Sequence, residues 1–154
     1  MRNKYIFTLT FIICVFNSIT AHTDTIKVSS EKLNVDRDKN ISVFTGNVYA
    51  EDEKIKLWSD KISMFYDETK KSVYEIVAEN NVKIIVNGVT AFGNYSKYKV
   101  DNEELLLEGD VVVLEKDNKI QSDQLILDLA NSTSIMTAKS NSRVTAQINK
   151  LNNE

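Results

Sequence analysis

The feature that most constrains the fold is a β-type alternation that changes phase within a strand. In IKLWSDKISMFYD, residues 55–67, the apolar positions are odd-numbered as far as Leu57 and even-numbered from Ile62 onwards. Alternation with a period of two predicts a strand, and a phase change without an intervening loop is typical of a β-bulge or sharp corner. We therefore predict a strand that bends at Ser59 and Asp60 and keeps its apolar side chains directed to one interior.

The same break recurs along the chain, which indicates an internal repeat. The segment aligns without a gap with VTAFGNYSKYKVD at 89–101, and similar breaks occur in IKVSSEKLNV at 26–35 and NKIQSDQLILDL at 118–129. A second element follows as FTGNV at 44–48, AENNV at 78–82, LEGDV at 107–111 and, more weakly, KSNSRV at 139–144. The valines of the first three are 34 and 29 residues apart (48 to 82, then 82 to 111). Such self-similarity predicts a stacked repeat of one supersecondary unit.

The repeated unit is predicted to consist of strands. Apolar residues lie two apart in most segments, as in the set from Val82 to Val86, and no capped window with a sustained 3.6 period follows residue 21. These patterns predict an all-β domain in which two antiparallel sheets, built from about four repeats, fold over each other as a flattened roll. We expect one continuous domain at residues 22–148 and a polar tail at 149–154.

The first 21 residues differ in kind from the rest. Arg2 and Lys4 precede an apolar run at residues 5–16, and Ala21 is a small residue suited to signal peptidase. This order predicts a cleavable signal peptide and an exported protein. The alternative is a retained anchor, but a membrane span needs about 20 apolar residues, more than this run contains.

Charge and composition exclude several classes of function. The chain has 19 basic and 22 acidic residues, and removal of residues 1–21 would leave 17 basic residues and a net charge of −5. An acidic domain is a poor candidate for binding nucleic acid, because Lys and Arg supply most of that affinity. The only cysteine, Cys14, lies in the predicted signal, so we expect neither disulfides nor thiol chemistry in the mature protein.

Residues that would support catalysis or metal binding are scarce. His22 is the single histidine, and the chain has no His cluster or Gly-rich phosphate loop. The acidic run at 101–104 could suggest a calcium site, but the run lacks the ligand spacing of a calcium loop, so a solvated hairpin turn is the favoured interpretation. We predict a protein that is not an enzyme and has no cofactor and no metal.

At the repeated elements the sequence resembles the LptA/OstA-like proteins, the periplasmic bridge of lipopolysaccharide export in Gram-negative bacteria. The resemblance rests on the predicted signal followed by SSEKLNVDRDKNISVFTGNV, IKLWSDKISMFYDETKK, VAENNVKII and LEGDVVVLEKDNKIQSDQLILDL. It implies a twisted, open β-jellyroll in the periplasm whose apolar interior holds lipid A acyl chains. It also implies an LptC-like inner-membrane partner, an LptD-like outer-membrane partner and head-to-tail strand addition, with a role in outer-membrane biogenesis.

The phase of each strand and this resemblance together assign candidate binding residues. The predicted lipid-binding residues of the interior face are Val28, Leu33, Val35, Val43, Leu57, Ile62, Met64, Val82, Ile84, Ala91, Tyr98, Leu125 and Leu127. The predicted docking edges carry Ile26, Val28, Val144, Ala146 and Ile148. The chain contains no proline, a residue that often blunts exposed edge strands. These edges are therefore candidates for pairing with further strands.

Three alternatives remain open from the sequence. Within the same pathway, the chain is an LptC-like subunit if the first segment stays as an anchor. From a different class, it is an exported structural β-solenoid without a ligand. The interior stripes themselves also fit an ordinary filled sandwich core, the commoner meaning of such patterns.

Overall fold

The computed structural model describes residues 25–69 and 71–149. The predicted signal peptide with Cys14, the residue His22 and positions 150–154 of the predicted tail lie outside these ranges. Within them the chain forms ten strands, whose bounds are β1 (Lys27–Ser29), β2 (Lys32–Asp36), β3 (Ile41–Glu51), β4 (Ile55–Tyr66), β5 (Val73–Val86), β6 (Val89–Lys99), β7 (Glu104–Glu115), β8 (Asn118–Asp128), β9 (Thr133–Thr137) and β10 (Thr145–Gln147).

All ten strands belong to one antiparallel sheet. The order is β1-β3-β4-β5-β6-β7-β8-β10, while β2 also pairs with β3 and β9 also pairs with β8. Each edge is therefore a strand split into two halves that pair with the two ends of one long neighbour. The predicted all-β open roll is confirmed, and its two layers are parts of a single continuous sheet.

The sheet bends along a line that crosses its long strands. The pairing register shifts between Thr45 and Val48 in β3, and equivalent shifts occur in every pair from β3 through β8. We call the resulting halves the first arm and the second arm. The first arm comprises β1, β10 and residues 48–51, 55–59, 82–86, 89–93, 111–115 and 118–122; the second comprises β2, β9 and residues 41–45, 61–66, 73–79, 95–99, 104–108 and 124–128.

Two kinds of corner alternate along the bend. In β3, β5 and β7 the corner is a pair of residues with positive φ, as at Gly46 (83°) and Asn47 (45°). Gly and Asn are the residue types that adopt this conformation at least cost, which explains the recurrent GN, NN and GD pairs. In β4 and β8 the corner carries a serine, and the hydroxyls of Ser59 and Ser122 donate to the carbonyls of Lys61 and Gln124 at 3.0 Å.

Gly93, the corner residue of β6, stands where β4 and β8 have serine. A Cβ at this position would lie 2.7 Å from Cδ1 of Leu107, a side chain that is fully buried. The glycine therefore allows the adjacent strand to pack against the corner. The core lies between the two arms and is built from the side chains that face inwards on each side of the bend.

Candidate functional site: an apolar groove between the two arms

Side chains of the interior face form continuous rows across the strands, because directly paired residues point to the same side of a sheet. On the first arm one row consists of Ala50, Leu57, Ile84, Ala91, Val113 and Ile120. On the second arm the two rows are Phe44, Ile62, Ala78, Ser96, Leu107, Leu125 and Met136, and Ser42, Met64, Ile76, Tyr98, Leu105, Leu127 and Ser134. These three rows are therefore almost wholly apolar, with serine as their only polar residue type.

The groove opens into two compartments that share no lining residue. The first compartment, near the N-terminal edge, has a volume of about 630 Å³ and the second, near the C-terminal edge, about 280 Å³. Lining residues of the first include Ile26, Val28, Phe44, Met64, Tyr66, Val73, Tyr98 and Val100. Lining residues of the second include Ile84, Val86, Val89, Ala91, Val113, Ile120, Leu125, Leu127, Leu129 and Met136.

The interior narrows where the compartments approach each other. Ile55 and Leu57 of the first arm line a cavity of about 30 Å³ together with Ile76 and Leu105 of the second. All four side chains are buried. A cavity of this size is close to the volume that one water occupies in the liquid. We call these four residues the constriction.

Most of the predicted lipid-binding residues lie on the interior face. The structure places Val28, Leu57, Ile62, Met64, Val82, Ile84, Ala91, Tyr98, Leu125 and Leu127 in or against the buried core. Leu33 and Val35 pair with Phe44 and Ser42 and so share their face, but both are more than half exposed because β2 is an edge strand.

The structure corrects the placement of Val43. It pairs with Ser63, and the next residue, Phe44, pairs with Ile62. Because neighbours in a strand point to opposite faces, Val43 lies on the outer face of the second arm. Ser42 and Phe44 take the interior positions.

Sequence reasoning also missed several interior residues. Leu105 and Leu107 are almost completely buried, yet they lie in the run ELLLEG, where three consecutive leucines hide the alternation. Pairing of Leu105 with Tyr98 would have resolved the phase. Interior residues omitted from the prediction also include Phe44, Tyr66, Ile76, Ala78, Ser96, Val111, Val113, Ile120 and Met136.

Charged side chains also line both compartments: Asp52, Glu53, Lys54 and Glu103 line the first, and Glu115 and Asp128 line the second. They lie in or next to the loops at the tips of the two arms, and we call the opening between these tips the mouth. The Nζ of Lys54, in the β3–β4 loop, lies 2.6 Å from Oε1 of Glu103 in the β6–β7 loop. These loops belong to opposite arms, so the ion pair crosses the mouth. Over the described ranges no buried side-chain polar atom lacks a hydrogen-bond partner.

The described ranges contain no group of three or more His, Cys, Asp or Glu residues that could hold a metal ion. They also contain no helix long and apolar enough to cross a membrane.

The predicted docking residues lie at the two edges of the sheet. Ile26 and Val28 pack partly against the core, and Val28 pairs with Ala50. Ala146 pairs with Ile120 at the opposite edge. Val144 and Ile148 flank β10 immediately outside its bounds, and both are exposed.

Together these features define a class of protein: an antiparallel β-roll, open along its mouth, with an apolar interior and split strands at both edges. Residues 27–133 match the family described as LptA/(LptD N-terminal domain) LPS transport protein. The chain therefore belongs to this family.

Comparison with solved structures agrees with the fold. The crystal structure of LptH from Pseudomonas aeruginosa is described as "the LptA homologous periplasmic component of the conserved lipopolysaccharide transport device". It superposes with a TM-score of 0.72 at 15% identity, over 82% of this chain and 96% of that one. No curated protein sequence matches the chain.

Proposed function

We propose that this protein is a periplasmic carrier of lipopolysaccharide that holds lipid A acyl chains in the groove and acts without catalysis. The observation that carries the proposal is the pair of open apolar compartments within a member of the LPS transport family. An ordinary sandwich core would be filled, whereas this interior retains a cavity of about 630 Å³ at one end.

Binding by burial needs no special chemical group. Each acyl CH₂ removed from water contributes about 0.8 kcal/mol, so several chains along the groove supply substantial affinity. Met64, Tyr66 and Tyr98 line the first compartment, and Ile120 and Leu127 line the second. The phosphosugar head group remains at the mouth, outside the apolar rows.

The two edges are proposed to dock further strands. The half-strands β1 and β10 each pair on one side within the described chain, with β3 and β8. Main-chain pairing at such an edge needs no particular side chain. Copies joined edge to edge make heterologous contacts that form open rods. The same edges would accept similar domains of an LptC-like inner-membrane protein and an LptD-like outer-membrane protein.

A matched pair of tyrosines tests the lipid-binding proposal. Tyr66 lines the first compartment, while Tyr74 lies on the outer face, where its ring is 6.3 Å from that of Phe65. A photo-crosslinking amino acid at Tyr66 should capture lipopolysaccharide in cells that make it, and the same group at Tyr74 should not. Equal capture at both sites, or capture at neither, would contradict the groove.

The periplasmic location has a separate test, because the predicted signal lies outside the described residues. We expect the mature protein to begin at or near His22 and to be recovered in the periplasmic fraction. N-terminal sequencing and fractionation measure this directly. Full-length protein with Cys14 in the membrane pellet would favour an LptC-like anchored subunit instead.

A further inference from the structure

The ion pair between Lys54 and Glu103 connects the tips of the two arms close to the constriction. Lys54 precedes Ile55 of the constriction in the chain, and Glu103 lies two residues before Leu105. Both residues of the pair also line the first compartment, and neither lines the second.

Both ends of this ion pair are held by rigid local structure. In the β3–β4 loop the Asp52 carboxylate accepts from the backbone N–H groups of Lys54, at 2.8 Å, and Ile55, at 2.7 Å. In the β6–β7 loop the carbonyl of Glu103 accepts from the N–H of Leu129 at 3.0 Å, and the N–H of Glu103 donates to Val100. These hydrogen bonds fix the backbone of each loop, so separation of the two loops requires the arms to move apart.

The bend provides a place for such a motion. Opening and closing the mouth needs rotation at the corners, where residues such as Gly46 and Gly109 already adopt positive φ. Away from the corners, the β5–β6 and β7–β8 pairs are continuous ladders whose pairing would be lost if they deformed. The corners are the places where such a rotation would disturb the fewest backbone hydrogen bonds, because the pairing is already interrupted there.

The geometry points to a latched gate: the Lys54–Glu103 pair holds the tips of the arms together beside the constriction, so that acyl chains enter the interior between the arms faster when the latch opens. This inference rests on the proposed function for its ligand. It adds that entry into the groove is controlled, and it assigns that control to two named side chains.

Charge reversal tests the latch in the ligand-free protein. Lys54→Glu and Glu103→Lys each place like charges across the mouth, and the double exchange restores an opposite pair. Spin labels on cysteines at Glu53 and Asn102, one on each loop, should report longer distances in both single variants and a return towards the original distance in the double variant.

The Lys61–Glu79 pair is a matched control. It has the same 2.6 Å separation and comparable exposure, but it connects the neighbouring strands β4 and β5 on the outer face. Lys61→Glu should leave the distance across the mouth unchanged. Equal widening in this variant would attribute the effect to net charge and overturn the latch.

A kinetic measurement tests the gate itself. An environment-sensitive fluorophore on a cysteine at Ser134, which lines the second compartment, reports arrival of a long-chain fatty acid. Loss of an exposed ion pair should speed arrival about two- to five-fold, and the double exchange should reverse this change.

The two inferences fail in different ways. Unchanged mouth distances in both single variants would overturn the latch, whether or not the protein binds lipid. Widened distances with unchanged arrival rates would overturn its role as a gate. Absence of any fatty-acid binding, with the distances behaving as expected, would count against the proposed function while supporting the latch.

Discussion

The two edges of the sheet follow one plan but are held by different means. At the N-terminal edge, β1 and β2 pair with the two halves of β3, and only Ser30 and Glu31 lie between them. At the C-terminal edge, β9 and β10 pair with the two halves of β8, and residues 138–144 lie between them. The first edge is therefore a strand with a corner, and the second is two strands joined by a loop.

The contacts at the corners show what this difference means. The N–H of Glu31 donates to the carbonyl of Gly46 at 3.1 Å, and its carboxylate accepts from the side chain of Asn47. At the other edge the Asp123 carboxylate accepts from the N–H of Lys139 at 2.6 Å and from the hydroxyl of Ser142. The N-terminal edge thus retains a backbone hydrogen bond at its corner, whereas the C-terminal loop is attached to its corner through an exposed side chain.

The half-strands at the two edges also differ in how deeply they are buried. Val28 of β1 packs against the core, while every residue of β10 is exposed. Just after β10, the backbone N–H of Asn149 donates to the side chain of Asn118, and the side chain of Asn149 donates to the carbonyl of Asp117. Although Asn149 was assigned to the polar tail, it is attached to the β7–β8 turn. We therefore expect β10 to separate from β8 at lower cost than β1 separates from β3.

The largest expected effect is at the N-terminal corner. Gly46 has φ 83°, and a Cβ there would lie 2.5 Å from Oε2 of Glu31. Gly46→Ala combines an unfavourable backbone conformation with displacement of Glu31, and we expect it to lower the free energy of unfolding by about 2–3 kcal/mol. Urea denaturation followed by circular dichroism measures this loss.

Gly88 separates the two contributions. Its φ is 81°, but a Cβ there would have nothing within 4 Å. Gly88→Ala should therefore lower the free energy of unfolding only through its unfavourable backbone conformation, by about 1 kcal/mol. If both substitutions cost the same, the packing of Glu31 over the corner contributes nothing, and the contrast between the edges loses its main support.

Proline substitutions should show whether each of the two edges takes part in assembly. Neighbouring residues of an antiparallel strand direct their N–H groups alternately towards and away from the partner. Proline at Lys27 and at Val28 therefore removes one donor of each kind, and Thr145 and Ala146 form the matching pair in β10. At each edge one variant should lose stability, and the other should remain folded but lose concentration-dependent assembly in light scattering.

Val144 sharpens the same experiment. Although it was predicted as a docking residue, it lies just before β10, so proline there should disturb assembly less than proline within the strand. A strict monomer at high concentration for the unmodified protein would contradict edge-to-edge docking altogether. Continued assembly of both folded proline variants would contradict it equally.

The corners were predictable from sequence because their residue types recur. Ser59 and Ser122 sit where alternation breaks, and the pairing register shifts at these positions. It was harder to predict from sequence which residues of a short half-strand face the interior. Residues 41–45 read Ile-Ser-Val-Phe-Thr, with apolar side chains in both phases, and only the pairing of Phe44 with Ile62 determines which face is interior.

Features made by distant residues could not be predicted. Lys54 and Glu103 are 49 positions apart, and nothing in their local sequence indicates that the twist of the roll brings them together. The same is true of the constriction, since Ile55 and Leu105 differ from other interior residues only in what faces them across the groove. Local alternation determines a face, whereas the width of the groove depends on how the two arms fold over each other.

A smaller effect is expected from Asp123→Asn at the C-terminal edge. The substitution weakens the acceptor for Lys139 and Ser142 and leaves the paired strands unchanged. Amide hydrogen exchange in β10 should become faster, while exchange in β1 should stay the same. Asp36→Asn is the matched control at the other edge, because the N–H of Lys39 that donates to Asp36 belongs to the same turn. Faster exchange at β1 in the Asp123 variant would show that the edges are coupled.

The smallest effect is a pH dependence confined to the C-terminal edge. The hydroxyl of Ser142 and the N–H of Lys139 hold the pKa of Asp123 below its ordinary value. A depressed carboxyl pKa contributes stability above its unfolded-state value, about 3.9, and this contribution is lost as the pH falls through the folded pKa. Below about pH 4 the amide resonance of Ala146 should therefore shift towards its unpaired position before that of Val28.

Two other carboxyls make the comparison specific. The pKa of Asp128 is lowered mainly by Asn131 at the β8–β9 turn, and that of Asp36 by the N–H of Lys39 at the β2–β3 turn. Low pH thus weakens the hydrogen bonds of two carboxylates near the C-terminal edge, Asp123 and Asp128, but of only one near the N-terminal edge, Asp36. In Asp123→Asn the acid-induced shift of Ala146 should largely disappear, because the titrating group is gone. A shift of the same size in that variant would assign the pH dependence to Asp128 and leave Asp123 without a role in holding β10.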